Sequence, residues 1–259
     1  MLHRYHEEFS ERTLKSPAIG LHINVQGGET EVPVHHHSRG QLMIATGGFV
    51  TCEVPNAIYA VLPYRALWIP GGIPHSVRAT SHSRISYIFL NESSTHLPDY
   101  CCTLKISTLA RELIFRLAQE QADHDKGGHL MRKAQVLLDE LHIAERGGVN
   151  VPTSSHPIIE RLVHQLLRYP AQQKTLPVWA SELALSERSL ARLVIQQTGM
   201  TFGHLRRQTR LVVALQQLAE GMSVQQTADH IGYQSVTAFI TMFKHELGYP
   251  PAHYVASYY

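Results

Sequence analysis

The residues best equipped for chemistry stand at 34–42, in the stretch "VHHHSRGQL". Three consecutive imidazoles, His35, His36 and His37, are followed by the amide of Gln41. Along a β-strand the side-chain period is two, so His35 and His37 point one way and His36 the other. A fourth candidate, His75, closes "PGGIPH" at 70–75. Three imidazoles could hold a divalent ion such as Zn²⁺ or Ni²⁺. A glutamine oxygen brings no negative charge, which disfavours Fe²⁺ or Mn²⁺. The same groups could instead line a small-molecule pocket, or be polar strand ends without a ligand. No general base or nucleophile accompanies them in the sequence, which argues against an enzyme. Cys52, Cys101 and Cys102 have no zinc-ribbon spacing and read as reduced thiols in a cytoplasm.

These residues need strands to position them. Up to about Asn91 the chain runs in short segments rich in Val, Ile, Tyr and Phe: "LMIAT", "FVTCEV", "AIYAVL", "ALWIP" and "RISYIFL". Turn formers separate them, "GG" at 47–48, "PN" at 55–56 and "PGGIP" at 70–74, as in a small β-barrel or sandwich. After Pro98 the period becomes helical. "LARELIFRLAQE" and "HLMRKAQVLLDELHIAER" flank a "GG" break at 127–128, with Leu130, Ala134, Leu137, Leu138 and Leu141 on one side. This helix pair could pack on the strands or, through Leu137 and Leu138, against a second subunit. "ERGGVNVPTSSHP" at 145–157 reads as a domain boundary. The expected organisation is therefore a β-domain over 1–98, a helical pair and linker over 99–150, and a helical domain over 151–259.

Charge divides the same way. Residues 156–259 hold nine Lys/Arg against six Asp/Glu, whereas residues 1–155 hold fourteen against fifteen. The basic excess is a mild pointer to nucleic acid. No apolar run approaches the roughly 18–20 residues of a membrane span, and "MLHRYHEEFSERTLKSP" has no apolar leader core, so a cytoplasmic protein with no membrane partner is expected.

The basic half contains two similar units. In "LPVWASELALSERSLARLVIQQTG" a short helix leads through a turn at Ala184–Leu185 to Ser186, which stands where an N-cap belongs. In the helix that follows, Leu190, Leu193 and Val194 face inward, while Arg188, Ser189 and Arg192 face outward. In "SVQQTADHIGYQSVTAFITMFKHELGY" the cap is Ser235, Phe239 and Phe243 face inward, and Thr237, Thr241 and Lys244 lie opposite. "RRQTRLVVALQQLAEG" reads as a helix linking the units. Each unit is a helix, a tight turn and a half-apolar second helix, the pattern whose second helix enters the major groove. Two such helices on one face of a duplex would meet successive major grooves roughly 34 Å apart.

The stretches "LALSERSLARLVIQQTGMTFGHLRRQTRL" and "AEGMSVQQTADHIGYQSVTAFITMFKHELGYPPAHY" are similar to the AraC/XylS family of bacterial transcription regulators. The resemblance implies a double helix-turn-helix domain binding double-stranded promoter DNA. It places Ser186, Arg188, Ser189 and Arg192 of one helix, and Ser235, Val236, Thr237 and Thr241 of the other, toward the bases. Arg206, Arg207 and Lys244 become phosphate contacts. The second helix departs from a strongly polar reader at Val236 and Ile240. In the first half, "HHHSRGQLMIATGG" and "PGGIPH" resemble the two cupin motifs, with Gln41 where a glutamate is expected. That implies a pocket ringed by His35, His37, Gln41 and His75, the positions that hold the ion in metal-binding cupins.

The expected fold is α+β in two domains: an N-terminal cupin-like β-barrel with a helical extension, and a C-terminal all-α double helix-turn-helix. The expected function is a sequence-specific transcriptional regulator, activating or repressing, that senses a small-molecule or metal effector. The resemblance adds a homodimer, RNA polymerase as partner if the protein activates, and a nearby transporter or efflux gene as target. Two alternatives stay open: a metal-dependent cupin enzyme carrying a DNA-binding domain, and an architectural DNA-binding protein with an inert barrel.

Overall fold

The computed structural model describes residues 18–28, 30–91, 95–119 and 128–256. The N-terminal stretch 1–17 and Gly127 of the Gly-Gly break lie outside the described residues. The chain divides into two compact units, residues 1–54 with 60–148, and residues 55–59 with 149–259.

The first unit is built from antiparallel sheets. One orders β1 (Ala18–Asn24), β8 (Arg84–Leu90), β3 (Gly40–Thr46), β6 (Arg65–Ile69) and β9 (Cys102–Lys105). The other contains β4 (Val50–Val54), β7 (His75–Ala79) and β2 (Thr30–His35), in that order, while Ala57–Tyr59 of β5 (Ala57–Val61) belong to the second unit. The five apolar runs of the sequence fall on β3, β4, β5, β6 and β8. Four further strands of this unit were not evident from composition. β1 and β2 carry polar residues on exposed faces, β7 mixes His, Ser and Arg, and β9 lies in the segment expected to be helical. β9 extends the first sheet by pairing with β6, from Arg65 opposite Lys105 to Trp68 opposite Cys102.

The helical pair is α1 (Thr108–Gln119) and α2 (His129–His142). α1 packs on the first sheet against β1 and β8, and α2 packs on α1. Ile114, Leu117, Ala134, Leu137 and Leu141 join Leu42, Ile44, Trp68, Ile88 and Leu90 in one core, and Leu137 is fully buried while Leu138 is only partly so. Gly20 of β1 permits the approach of α1, because a Cβ there would lie 1.9 Å from the Leu117 carbonyl oxygen. Met131, Val136 and Ile143 are left exposed.

In the second unit, β10 (Asn150–Pro152) pairs with the first residues of β5, Val151 opposite Ile58. Among the described residues seven helices follow: α3 (Pro157–Arg168), α4 (Leu176–Glu182), α5 (Glu187–Thr198), α6 (Phe202–Ala219), α7 (Val224–His230), α8 (Val236–Leu247) and α9 (Pro251–Ala256). α6 is the central strut. Leu205, Leu211, Ala214, Leu215 and Leu218 are buried on it, and α3, α5, α7, α9 and β10 all pack against it. No helix of the described residues is long and apolar enough to cross a membrane.

Candidate DNA interface and histidine cluster

The two helix-turn-helix turns have one backbone plan. In the first, Leu185 N–H donates to Ala180 O and Ala184 N–H to Ser181 O; in the second, Tyr233 N–H donates to Ala228 O and Gly232 N–H to Asp229 O. The pivot is left-handed in each, φ 54° at Ala184 and φ 79° at Gly232. Each second helix then starts on a serine. Ser186 Oγ accepts from Ser189 N–H at 3.1 Å, and Ser235 Oγ from Ala238 N–H at 3.2 Å. Ser223 opens α7 with a reciprocal capping box to Gln226. These caps satisfy amide donors that a helix start leaves open.

The outward residues of α5 are Glu187, Arg188, Ser189, Arg192 and Ile195, all exposed. Arg188 and Arg192 show no hydrogen bond or ion pair to a described residue. On α8, Thr237, Ala238, Thr241 and Lys244 are exposed while Val236 and Ile240 are partly covered. The inner faces bury Leu190 and Val194 on α5, and Phe239 and Phe243 on α8. The three remaining cations expected at phosphates differ. Lys244 is exposed at the end of α8. Arg207 stands 3.4 Å from Glu246. Arg206 donates to Lys174 O at 3.2 Å and lies over the Phe202 ring, so part of its guanidinium serves the fold.

In the first unit, register explains the histidine cluster. His35 and His75 are direct partners across β2 and β7, and their ring centroids are 4.4 Å apart. His37 lies beyond the end of β2, so the strand alternation expected to aim it does not apply. A loop contact places it instead, Gly72 N–H donating to His37 O, and its ring centroid comes within 5.1 Å of His75. Gln41 enters from β3, fully buried between its partners Ile69 and Phe89. Ligand-capable atoms of His35, His37 and His75 all lie within 4.8 Å of one another.

The ring nitrogens are sorted by the backbone. His35 Nδ1–H donates to Pro33 O, His37 Nδ1–H to Arg39 O, and His75 Nδ1–H to Ile73 O, at 2.8, 2.6 and 2.9 Å. That leaves a lone pair on each Nε2, the tautomer of metal-bound histidines whose other nitrogen is held by a carbonyl. His37 Nε2 lies 3.1 Å from Gln41 Oε1, and Gln41 Nε2 has no partner among the described residues. Two lone pairs that close are reconciled by turning the amide over, or by a cation between them. Burial keeps His37 below its ordinary value of 6.5, with His35 and His36 adding to the effect against the bonds to Arg39 and Gln41. The three cysteines fit metal binding poorly. Burial raises every one, Cys101 to about 11.

The His37 shift sets a pH dependence. Its proton binds more tightly in the unfolded chain, so the stability it confers is whole above about pH 6.5 and is lost as pH falls toward the folded value. Chelator-treated protein should therefore melt at lower temperature when acidified from about pH 7 to about 5. His37→Gln should flatten that slope; an unchanged slope would place the titration elsewhere.

A helix-turn-helix domain model matches residues 179–257. Over 239 residues the chain is 42% identical to the HTH-type transcriptional regulator NimR of Escherichia coli (strain K12), covering 92% of this chain and 88% of that one. The chain belongs to the AraC/XylS family of transcriptional regulators. The HTH-type transcriptional regulator RipA of Corynebacterium diphtheriae is 28% identical over 96 residues, 37% of this chain and 29% of RipA. The structure of unsaturated fatty acid bound ToxT from Vibrio cholerae is similar at TM-score 0.40 and 11% identity, covering 95% of this chain and 97% of that one.

This AraC/XylS chain is thus a transcriptional regulator with a helix-turn-helix DNA-binding domain. Several residues that hold that domain together escaped the sequence reading. Arg210, only 8% exposed, donates Nε–H to Pro170 O at 2.8 Å and an Nη2–H to Gln172 O at 3.3 Å, and lies over the Tyr233 ring. Gln173 Nε2–H donates to Gly232 O at 2.7 Å. Gln208 donates to Glu246 Oε2 at 3.1 Å, joining α6 to α8. The available signal was position: Gln208 stands three residues before Leu211 and Arg210 four before Ala214, so each extends toward the N-terminus the stripe that those apolar residues bury.

Proposed function

We propose that this regulator reads its promoter with α5 and α8, and that occupancy of the histidine–glutamine cluster by an effector shifts operator binding. The base-facing set is Ser186, Arg188, Ser189 and Arg192 with Ser235, Val236, Thr237 and Thr241; Lys244, Arg207 and the open part of Arg206 face phosphate. Two capped helices with inner faces buried and outer faces uncommitted support the DNA reading. The effector site is His35, His37, Gln41 and His75.

The observation that carries the sensing half is the shared tautomer of the three histidines, each Nδ1–H spent on a backbone carbonyl. Such a donor set suits Zn²⁺ or Ni²⁺, with His35, His37 and His75 as nitrogen ligands and Gln41 as a neutral oxygen ligand. The ligand-capable atoms of the three histidines, within 4.8 Å of one another, are near enough for one ion to engage all three. The metal would supply a fixed positive charge that cross-links β2, β3 and β7. An organic effector with hydrogen-bond donors would meet the same lone pairs. The family resemblance adds a homodimer, to which Met131, Val136 and Ile143 of the first unit offer apolar surface.

Metal analysis of untagged protein, with His35→Ala alongside, tests this. About one Zn²⁺ or Ni²⁺ per chain, lost in the variant, is the expected result. A metal present at a thousand times its Kd stabilises by about 4 kcal/mol, seen as a melting shift absent from His35→Ala. His75→Ala should keep operator affinity and lose the metal response. Metal-free protein whose melting shifts with small aromatic compounds would assign the pocket to an organic effector. Protein that responds to neither would leave a regulator with an inert β-domain.

A further inference from the structure

The outer faces of α5 and α8 differ in chemistry, although their caps and turns are alike. α5 offers two guanidinium groups one helical turn apart, Arg188 and Arg192, both exposed. The first turns of α8 offer no charge. Its basic residues, Lys244 and His245, sit in the last turn. Base edges are met chiefly by the N-terminal part of a recognition helix, so these two lie nearer the backbone. What α8 shows the groove is Thr237, Ala238 and Thr241. The Thr241 hydroxyl is turned onto its own helix, donating to Thr237 O at 2.8 Å. A hydroxyl spent within the helix leaves the methyl group as the part of the side chain offered to an incoming base. With the Ala238 methyl beside it, the face presents apolar groups of one carbon each.

Arginine matches guanine O6 and N7 with two parallel donors, whereas a methyl group matches the C5 methyl of thymine. Resting on the reading of α5 and α8 as the DNA-facing helices, we propose that this protein recognises an operator of two unlike blocks. One is a guanine block read by Arg188 and Arg192. The other is an A·T block read through thymine methyls by Thr241 and Ala238. The blocks lie about 10–10.5 bp apart, the spacing of successive major grooves. The specificity of the second block is a shape contact without charge, so it resists salt, while the phosphate contacts around it do not.

The test begins with selection of duplexes from a random pool by the full-length protein. One block rich in guanine and one rich in thymine are expected. Deoxyuridine is then placed for thymidine in the second block, which removes only the methyl groups. Each methyl lost should weaken wild-type binding about fourfold. Thr241→Ser should bind the thymidine operator correspondingly less well and be indifferent to deoxyuridine at the matching position. Thr241→Val, which keeps the methyl and discards the hydroxyl, should stay as sensitive to deoxyuridine at that position as wild type is. In the first block, 7-deazaguanine should cost wild type about tenfold and Arg192→Ala nothing further. Thr241 is exposed, and thermal melts check that its variants fold. Equal binding of deoxyuridine and thymidine operators would overturn the proposal. So would a Thr241→Val variant as indifferent to deoxyuridine as Thr241→Ser, or guanine contacts in both blocks. A pool that yields no preferred sequence would instead overturn the assignment of these helices to base reading.

Discussion

Gly232→Ala should destabilise the DNA-binding unit by about 2–5 kcal/mol and remove operator binding near its new melting temperature. The chain contains its own control for the backbone share of that loss. Ala184 occupies the matching pivot of the first helix-turn-helix at φ 54°, and the turn still forms. A non-glycine residue in the left-handed region costs about 1–2 kcal/mol, so Ala184→Gly should recover part of that amount. At Gly232 a second penalty is added. A Cβ there would lie 2.7 Å from Ala171 Cα and 2.8 Å from Ala171 O, and backbone cannot rotate aside as a side chain can. Overpacking of this sort adds about 1–3 kcal/mol. The Ala171 segment is also tied to this turn by the Gln173 Nε2–H bond to Gly232 O. Urea unfolding of Gly232→Ala and Ala184→Gly measures both terms. A Gly232→Ala loss no greater than the Ala184→Gly gain would mean that the segment yields, and that it does not fix the turn.

That turn illustrates what the sequence made legible. "IGYQS" marks a left-handed glycine followed by a serine cap, both local features, and the structure has them at Gly232 and Ser235. Helices α4 to α8 of the second unit were legible because their apolar residues recur at a helical period and their caps are local, whereas α3 and α9 were not placed. The strands β3, β4, β5, β6 and β8 were legible because buried strands are rich in branched and aromatic residues. β2 and β7 were not, since β2 is largely exposed and carries Pro and His, and β7 mixes His, Ser and Arg with only two apolar residues, so both read as loops. For the same reason the histidine cluster was inferred from motif spacing, while its physical cause, the β2–β7 register that sets His35 against His75, was not visible. The expected strand alternation of His35 and His37 is replaced by a loop held by Gly72. Long-range pairing of polar groups leaves no periodic trace. Gln208 with Glu246, and Arg210 with Pro170, are separated by 38 and 40 residues.

Arg210 should prove the costliest of these hidden residues to remove. Burial, with Arg206 nearby, lowers its pKa from the ordinary arginine value, yet its donors are matched by the carbonyls of Pro170 and Gln172 and by the Tyr233 ring. Arg210→Ala leaves two carbonyls short of a charged donor and opens a void. Hydrogen bonds to charged groups contribute about 1.5–3 kcal/mol each, so a loss of about 3–5 kcal/mol is expected. The consequence reaches function because these contacts run from α6, through the 170–173 segment, to the second turn, where Gln173 holds Gly232. A loosened turn carries α8 with it while α5 keeps its own cap and turn. At temperatures where the variant is still folded, discrimination at the α8 block of the operator should weaken more than at the α5 block. Arg210→Lys retains the charge and reaches one carbonyl, and should lose about half as much stability. Tyr233→Leu combined with Arg210→Ala should lose less than the sum of the two, by about 0.5–2 kcal/mol, if the guanidinium and ring act together. An Arg210→Ala variant that loosens both operator blocks equally would make Arg210 a general support of the domain, and not the link that positions its second reading helix.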